Sequence, residues 1–249
     1  MKKVLLIGAD GMLGGELKER LEKNYDVTGT TLVTLDICDR EAVLAKAREV
    51  KPYFIINCAA YTNVDGCEVN TELAMAVNGT AVANIAEAAK ENDATFIHIS
   101  TDYVFNGQRT RPYLPSDKPE PLNNYGLTKY EGEEAVKKYC PKYFIARTSW
   151  LYGIHGRNFV ETMISLADKP ELKVVDDQVG CPTWTIDLAN GIAKIIKTEE
   201  YGIYHICGSG STSWYGFAKE IFELSLEHSS HHSAKPLTNV LHPLWISFP

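Results

Sequence analysis

Short apolar runs alternate along the chain with longer stretches in which apolar positions recur every three or four residues. The runs VLLIG (4–8), YFIINCAA (53–60), TFIHIS (95–100) and YFIARTS (143–149) carry few polar positions, so each reads as a strand buried on both faces. Among the intervening stretches, MLGGELKERLEK, TELAMAVNGTAVANIAEAAKEN and YGLTKYEGEEAVKKY have helical spacing. Parallel neighbours need a crossover connection, and a helix supplies it. The pattern therefore predicts an α/β fold, a doubly wound parallel sheet with helices on both faces.

Beyond Trp150 the alternation loosens. A helix is expected near 158–168, then a short strand LKVV, the loop DDQVGCPTWT, a helix from Thr185 to Lys197, a strand IYHIC and a helix WYGFAKEIFEL. Residues 1–150 read as the sheet-bearing domain and 151–249 as a smaller lobe, interleaved with the first, over the carboxyl ends of the strands where open α/β sheets bind ligands. After Leu226 the helical period stops. The segment SLEHSSHHSAKPLTNVLHPLWISFP is expected to be altered and foreign to the lobe from about residue 225, with His228, His231 and His232 in a solvated linker rather than a metal site.

Composition narrows the partner. The 25 basic against 32 acidic residues give a net charge of −7 without a basic stripe, which disfavours nucleic acid and membrane surfaces and leaves a small molecule. Two lysines and four apolar residues before Gly8 are too short for a signal core or a membrane span, so a cytoplasmic location is expected. The six cysteines are scattered without a C-x-x-C pair and read as buried, reduced thiols.

The first strand runs into GADGMLGG, where Gly8, Gly11 and Gly14 follow at three-residue steps and a helix opens near Met12. Glycines there allow a tight turn, close approach of backbone to a pyrophosphate, and strand–helix packing, with the helix N-terminus facing the anion. That places a dinucleotide at the turn and makes the domain a Rossmann fold. The second strand, within YDVTGTT, ends without the carboxylate that would bond a ribose 2′-hydroxyl, and Asp36 falls in the loop beyond it. The absence tilts the cofactor to NADPH, with NADH as the other choice.

Tyr125 and Lys129 are four apart, on one face of a helix opening at Asn124 or Tyr125. A free tyrosine titrates near pH ~10, and an ammonium beside it favours the phenolate, so Lys129 is expected to lower the pKa of Tyr125. Thr101, closing the strand TFIHIS, is placed to bond the same substrate oxygen, an arrangement suited to hydride transfer at a carbonyl.

With these motifs in place, the chain resembles the extended short-chain dehydrogenases/reductases and, within them, the dTDP-4-dehydrorhamnose reductases. The matching stretches are GADGMLG, LDICD, NCAAYTNVDGCE, ISTDYVFNG, NNYGLTKYEGE, RTSWLYG, NFVETM, DDQVGCPTW and GIYHICGSGSTSWYGFA. The resemblance implies NADPH-dependent reduction of the 4-keto group of a dTDP-4-dehydro-6-deoxy sugar. It gives Thr101, Tyr125 and Lys129 the catalytic roles. Gly11, Met12 and Leu13 would meet the pyrophosphate, Asp36 and Ile37 the adenine, and Ala60, Tyr61 and Thr62 the nicotinamide side. Val64, Asp102, Tyr103 and Trp150 would meet the sugar nucleotide.

A sugar-nucleotide dehydratase would carry Asp then Glu after the threonine, and here Asp102 and Tyr103 follow Thr101. The alternative from another class is a non-catalytic NADP-binding subunit resembling the β subunit of methionine adenosyltransferase. Some rhamnose reductases bridge a dimer through magnesium. Glu16 matches one ligand of that bridge, but Ile186 stands where the family places a glutamate, so no metal and a monomer are expected, with a dimer as the alternative.

Overall fold

The computed structural model describes residues 1–227 and 237–240. His228, His231, His232 and residues 241–249, on which much of the expectation of an altered tail rests, lie outside the described residues.

The chain opens with β1 (Lys3–Ile7), turns through Gly8–Gly11 into α1 (Met12–Leu21), and continues as β2 (Asp26–Thr30), α2 (Arg40–Val50) and β3 (Phe54–Asn57). The segment expected as one helix over 71–92 is helical through Glu91 but carries a π turn in its middle. Behind α3 (Val64–Val69) come α4 (Thr71–Met75), a π turn over Ala76–Thr80, and α5 (Ala81–Glu91). Then follow β4 (Thr95–Thr101), α6 (Asn124–Tyr139) and β5 (Tyr143–Thr148).

β6 (Leu151–Tyr152), α7 (Phe159–Ser165), β7 (Leu172–Val175), β8 (Val179–Gly180) and β9 (Thr183–Trp184) lead to α8 (Thr185–Ile195) and β10 (Gly202–His205). β11 (Thr212–Ser213), α9 (Trp214–Glu227) and β12 (Leu237–Val240) follow.

Six parallel strands form the central sheet in the order β10-β5-β4-β3-β1-β2. The order reverses beside β1, so the crevice at the carboxyl ends of β1 and β3 is the topological switch point where such sheets bind ligands. The alternation of buried side chains builds a core on each face. Leu5, Ile7, Ile55, Phe96 and Ile145 pack under α2, α5 and α6. Val4, Leu6, Ile56, Ile97 and Phe144 pack under α1 and α8. Residues beyond Trp150 thus give the sheet its last strand and half of one helical layer.

A third, smaller core joins α7, β7 and α9 through Met163, Val174, Ala218 and Ile221, with Phe159, Trp214 and Phe217 against it. The backbone of β12 pairs in parallel with β7, Leu237 opposite Leu172 and Val240 opposite Val175. Among the described residues no helix is long and apolar enough to cross a membrane.

The thiols depart from the sequence reading. Cys67 and Cys140 are buried, but Cys58 and Cys181 are half-buried and Cys38 and Cys207 are exposed. Apolar neighbours in sequence predicted burial, whereas Cys38 and Cys207 fall in loops past the ends of their elements.

Candidate active site

Gly8 has φ +75° and lies so close to β3's exit that a Cβ would stand 2.8 Å from the Ala59 nitrogen. A Cβ on Gly14 would collide with the Gly8 carbonyl oxygen. Only glycine fits either position. Gly11 caps α1 without a side-chain hydrogen bond, leaving the first-turn amides of Met12 and Leu13 free of a side-chain cap. This bare, close-packed helix start fits the phosphates of a dinucleotide.

The turn forms one wall of a cavity of ≈540 Å³. It brings together Gly11, Met12, Leu13, Ala60, Thr62 and Val64 with Thr101, Asp102, Tyr103, Tyr125, Lys129 and Trp150. Gly8 and Gly14 shape the turn from beneath. Tyr61 stands outside the lining, its backbone nitrogen donating to Asn78 Oδ1 at 2.8 Å and its carbonyl accepting from Asn78 Nδ2 at 3.0 Å. Asp36 is exposed in the loop after β2, where Oδ1 accepts from the Cys38 amide at 2.9 Å, and the Ile37 side chain is buried in the core.

The catalytic candidates are held by caps and contacts at the start of α6. Asn123 accepts from the Gly126 amide at 2.7 Å, and Glu68 of α3 accepts from the Asn124 amide at 2.7 Å and from its side chain at 2.8 Å. Gly126 is pressed against the Tyr103 carbonyl, where a Cβ would collide, and the Tyr103 and Tyr125 rings meet edge to face at 5.6 Å. Thr101 ends β4, accepts from the Tyr103 amide at 3.2 Å and donates to Asp102 Oδ1 at 3.0 Å.

Electrostatics reverse one expectation. Burial pushes the Tyr125 phenol up from its usual pKa, the Asp102 carboxyl adds to the rise, and the hydrogen bond with Thr101 opposes it. Lys129 does not produce a phenolate at neutrality. Its ammonium donates to the Ile99 carbonyl at 2.6 Å. Its own pKa is lowered to about 8 by burial, against the partial support of Glu133 and Cys58. The spacing on α6 is as expected, but burial governs the phenol and the Lys129 ammonium is engaged by the Ile99 carbonyl. Burial also raises Asp102 to about 7, and its Oδ2 has no hydrogen-bond partner among the described residues.

Residues not singled out from the sequence complete the site. Cys58, Ser149, Leu151, Arg157 and Trp214 line the cavity. Trp150, at φ +46°, stacks on Trp214 with centroids 3.6 Å apart, and Trp214 Nε1 donates to Gln178 Oε1 at 3.1 Å. Asn78, in the π turn, clamps Tyr61 and donates to Thr128 Oγ1 at 3.3 Å, fixing the loop after β3 to α6. Such turns insert one residue into a helix and often mark functional sites.

Known proteins share this sequence and fold. The RmlD substrate binding domain family matches residues 1–244. The spore coat polysaccharide biosynthesis protein SpsK of Bacillus subtilis (strain 168) is 43% identical over 227 residues, 90% of this chain and 80% of that protein. The dTDP-4-dehydrorhamnose reductase of Escherichia coli (strain K12) is 41% identical over 230 residues, 88% of this chain and 77% of that one. The crystal structure of dTDP-4-dehydrorhamnose reductase from Bacillus anthracis str. Ames, in complex with NADP, superimposes with a TM-score of 0.92 at 43% identity, covering 97% of this chain and 85% of that one. The glycine turn and the Thr101–Tyr125–Lys129 wall thus sit in a fold and a sequence shared along most of their length, and the chain belongs to the RmlD family of dTDP-4-dehydrorhamnose reductases.

Proposed function

We propose that the chain is an NADPH-dependent dTDP-4-dehydrorhamnose reductase that converts the 4-keto sugar nucleotide to dTDP-L-rhamnose. The observation that carries this reading is the single cavity in which the glycine turn faces Thr101, Tyr125 and Lys129. NADPH supplies the hydride to the C4 carbon. Gly11, Met12 and Leu13 would hold its phosphates, Ala60 and Thr62 would flank the nicotinamide side, and Asp36 and Ile37 would serve the adenine. β2 ends in Thr30, without a carboxylate to repel a 2′-phosphate. The relative from Bacillus anthracis was solved with NADP, which supports the same choice here.

Tyr125, kept neutral by burial, gives its proton to the C4 oxygen as that atom gains charge. The Thr101 hydroxyl turns from Asp102 to bond the same oxygen. Lys129, charged at neutral pH, then stabilises the phenolate that the transfer leaves. Val64, Asp102, Tyr103 and Trp150 meet the sugar nucleotide.

Reductase names on the relatives favour turnover over the non-catalytic subunit. The test is to mix the purified chain with NADPH and dTDP-4-dehydrorhamnose. Loss of nicotinamide absorbance with formation of the 4-hydroxy sugar is expected, and cofactor binding without consumption would overturn the reading.

The same proposal has the chain acting in the cytoplasm as a monomer without bridging metal. Glu16 is buried and paired with Arg20 at 3.6 Å, while Arg20 donates to Asn190 of α8, so its carboxylate serves the contact between α1 and α8. Sedimentation should give one species indifferent to EDTA, and an EDTA-sensitive dimer would reject this.

A further inference from the structure

Cys181, just past β8, and Cys207, just past β10, are far apart in sequence but are held side by side. The Thr183 hydroxyl donates to the Cys181 carbonyl at 3.1 Å and accepts from the Gly208 amide at 3.1 Å. Gly208 packs so tightly on the Pro182 carbonyl that a Cβ would collide with it. Ser149 donates to the Cys181 carbonyl at 2.7 Å, fixing the same loop to the end of β5. The two thiols share the wall of a second cavity of ≈120 Å³ with Asp102, Thr148, Ser149 and His205. Asp102, Thr148 and Ser149 line the larger cavity too.

We propose that Cys181 and Cys207 are a dithiol site that closes to an intramolecular disulfide by exchange with a small-molecule disulfide, and that closure weakens use of the sugar nucleotide.

Cys207 is the exposed member and takes the first step. The neighbouring Cys181 thiol lowers the pKa of Cys207 while that of Cys181 is raised, so Cys207 is the readier thiolate of the two. That thiolate attacks one sulfur of a glutathione-type disulfide, the small S–S bond breaks, and one glutathione leaves. Cys181 then loses its proton and attacks the Cys207 sulfur. The protein S–S bond forms as the second glutathione departs, so the dithiol is oxidised and the small disulfide is reduced to two thiols.

No other cysteine combines these features. Cys67 and Cys140 are buried, burial pushes Cys58 up to about 12, and exposed Cys38 is raised by partial burial and by the Asp36 carboxylate. The cross-link would tie the loop after β8 to the segment after β10 behind Asp102, whose Oδ2 faces no partner among the described residues. The glycine turn lies elsewhere on the wall, so dinucleotide binding should be untouched.

The test treats the reduced chain with oxidised glutathione at neutral pH and maps thiols by peptide mass. A peptide pair joining Cys181 to Cys207 without glutathione should appear before Cys38 is modified. Cys181→Ser should stop at a glutathione adduct on Cys207, and Cys207→Ser should leave Cys181 free. A stable adduct on Cys207 in the unaltered chain, or modification of Cys38 first, would overturn the pair.

The functional half rests on the reductase reading. kcat/KM for the sugar nucleotide should fall several-fold on oxidation and recover with dithiothreitol, with NADPH affinity unchanged and the Cys181→Ser/Cys207→Ser double variant indifferent to oxidised glutathione. An oxidised chain with undiminished kcat/KM would overturn the coupling. A reduced chain with no activity would instead sink the reductase reading and the coupling with it, while the peptide masses decide the dithiol separately.

Discussion

Glu133 and Arg147 form a doubly hydrogen-bonded ion pair from which solvent is almost wholly excluded. Arg147 Nε donates to Glu133 Oε1 at 2.8 Å and Nη2 to Oε2 at 2.6 Å, with side chains 2% and 0% exposed. The Ser100 hydroxyl adds a bond to Glu133 Oε1 at 2.6 Å, and the guanidinium lies 4.9 Å from the centre of the Phe105 ring. Glu133 stands one turn beyond Lys129 on α6, and Arg147 pairs in register with Ser100 across β4 and β5. The pair therefore fixes the helix that carries Tyr125 to β5, and the Ser100 bond fixes the same helix to the strand that carries Thr101.

Removing one partner leaves the other charge buried and unmatched. Glu133→Ala should cost about 3–5 kcal/mol of stability, read as a lower denaturant midpoint, while Glu133→Met with Arg147→Met should recover much of the loss. Equal stability of the single and double variants would show that the pair is not the clamp.

The sequence made the four central strands legible because β1, β3, β4 and β5 are buried on both faces and so appear as unbroken apolar runs. Tyr125 and Lys129 were legible from spacing alone. Glu133 and Arg147 were not, since charged residues on a helix or strand read as solvated until the fold closes over both. Asn78 was hidden because a π turn adds a residue inside a stretch that is helical at both ends. Trp214 reaches Trp150 only through the lobe's tertiary path. The direction of the Tyr125 shift was missed for a related reason: spacing reports the nearby charge but not the desolvation, which depends on everything packed around the site.

Tyr125→Phe should keep NADPH affinity and lose turnover by about a hundredfold or more, because the ring still packs on Tyr103 while the proton donor is gone. Single-turnover reduction at the unaltered rate would remove Tyr125 from the chemistry.

Lys129→Met should abolish most activity yet raise stability at pH 7. A lysine lowered to about 8 by burial releases its proton in the native state before the unfolded chain does, which titrates near 10.5. Below both values the charged, buried form costs on the order of 3 kcal/mol; between them the unfolded state holds more protons, so stability contributed by this group rises with pH. The advantage of the methionine variant in urea denaturation should therefore be largest below pH ~8 and shrink towards pH ~10. A difference between the two chains that does not vary with pH would mean that Lys129 is not titrating as a buried group.

Trp150 occupies a backbone region that a bulky residue rarely adopts, and its indole stacks on Trp214 and packs against Gly180, where a Cβ would collide with the ring. A residue in that conformation persists only where its surroundings fix it. Trp214→Ala removes the stacked face, worth about 0.5–1.5 kcal/mol beyond buried area, and frees the Trp150 ring to leave the cavity wall. If Trp150 positions the sugar nucleotide, KM for that substrate should rise severalfold to tenfold with a smaller change in kcat, and NADPH affinity, set at the glycine turn, should hold. Gly180→Ala should shift the same constants in the same direction by displacing the ring that its Cβ would meet. Unchanged KM in both variants would show that the stacked pair serves the lobe's packing alone, and a loss of NADPH affinity in either would place Trp150 on the cofactor instead.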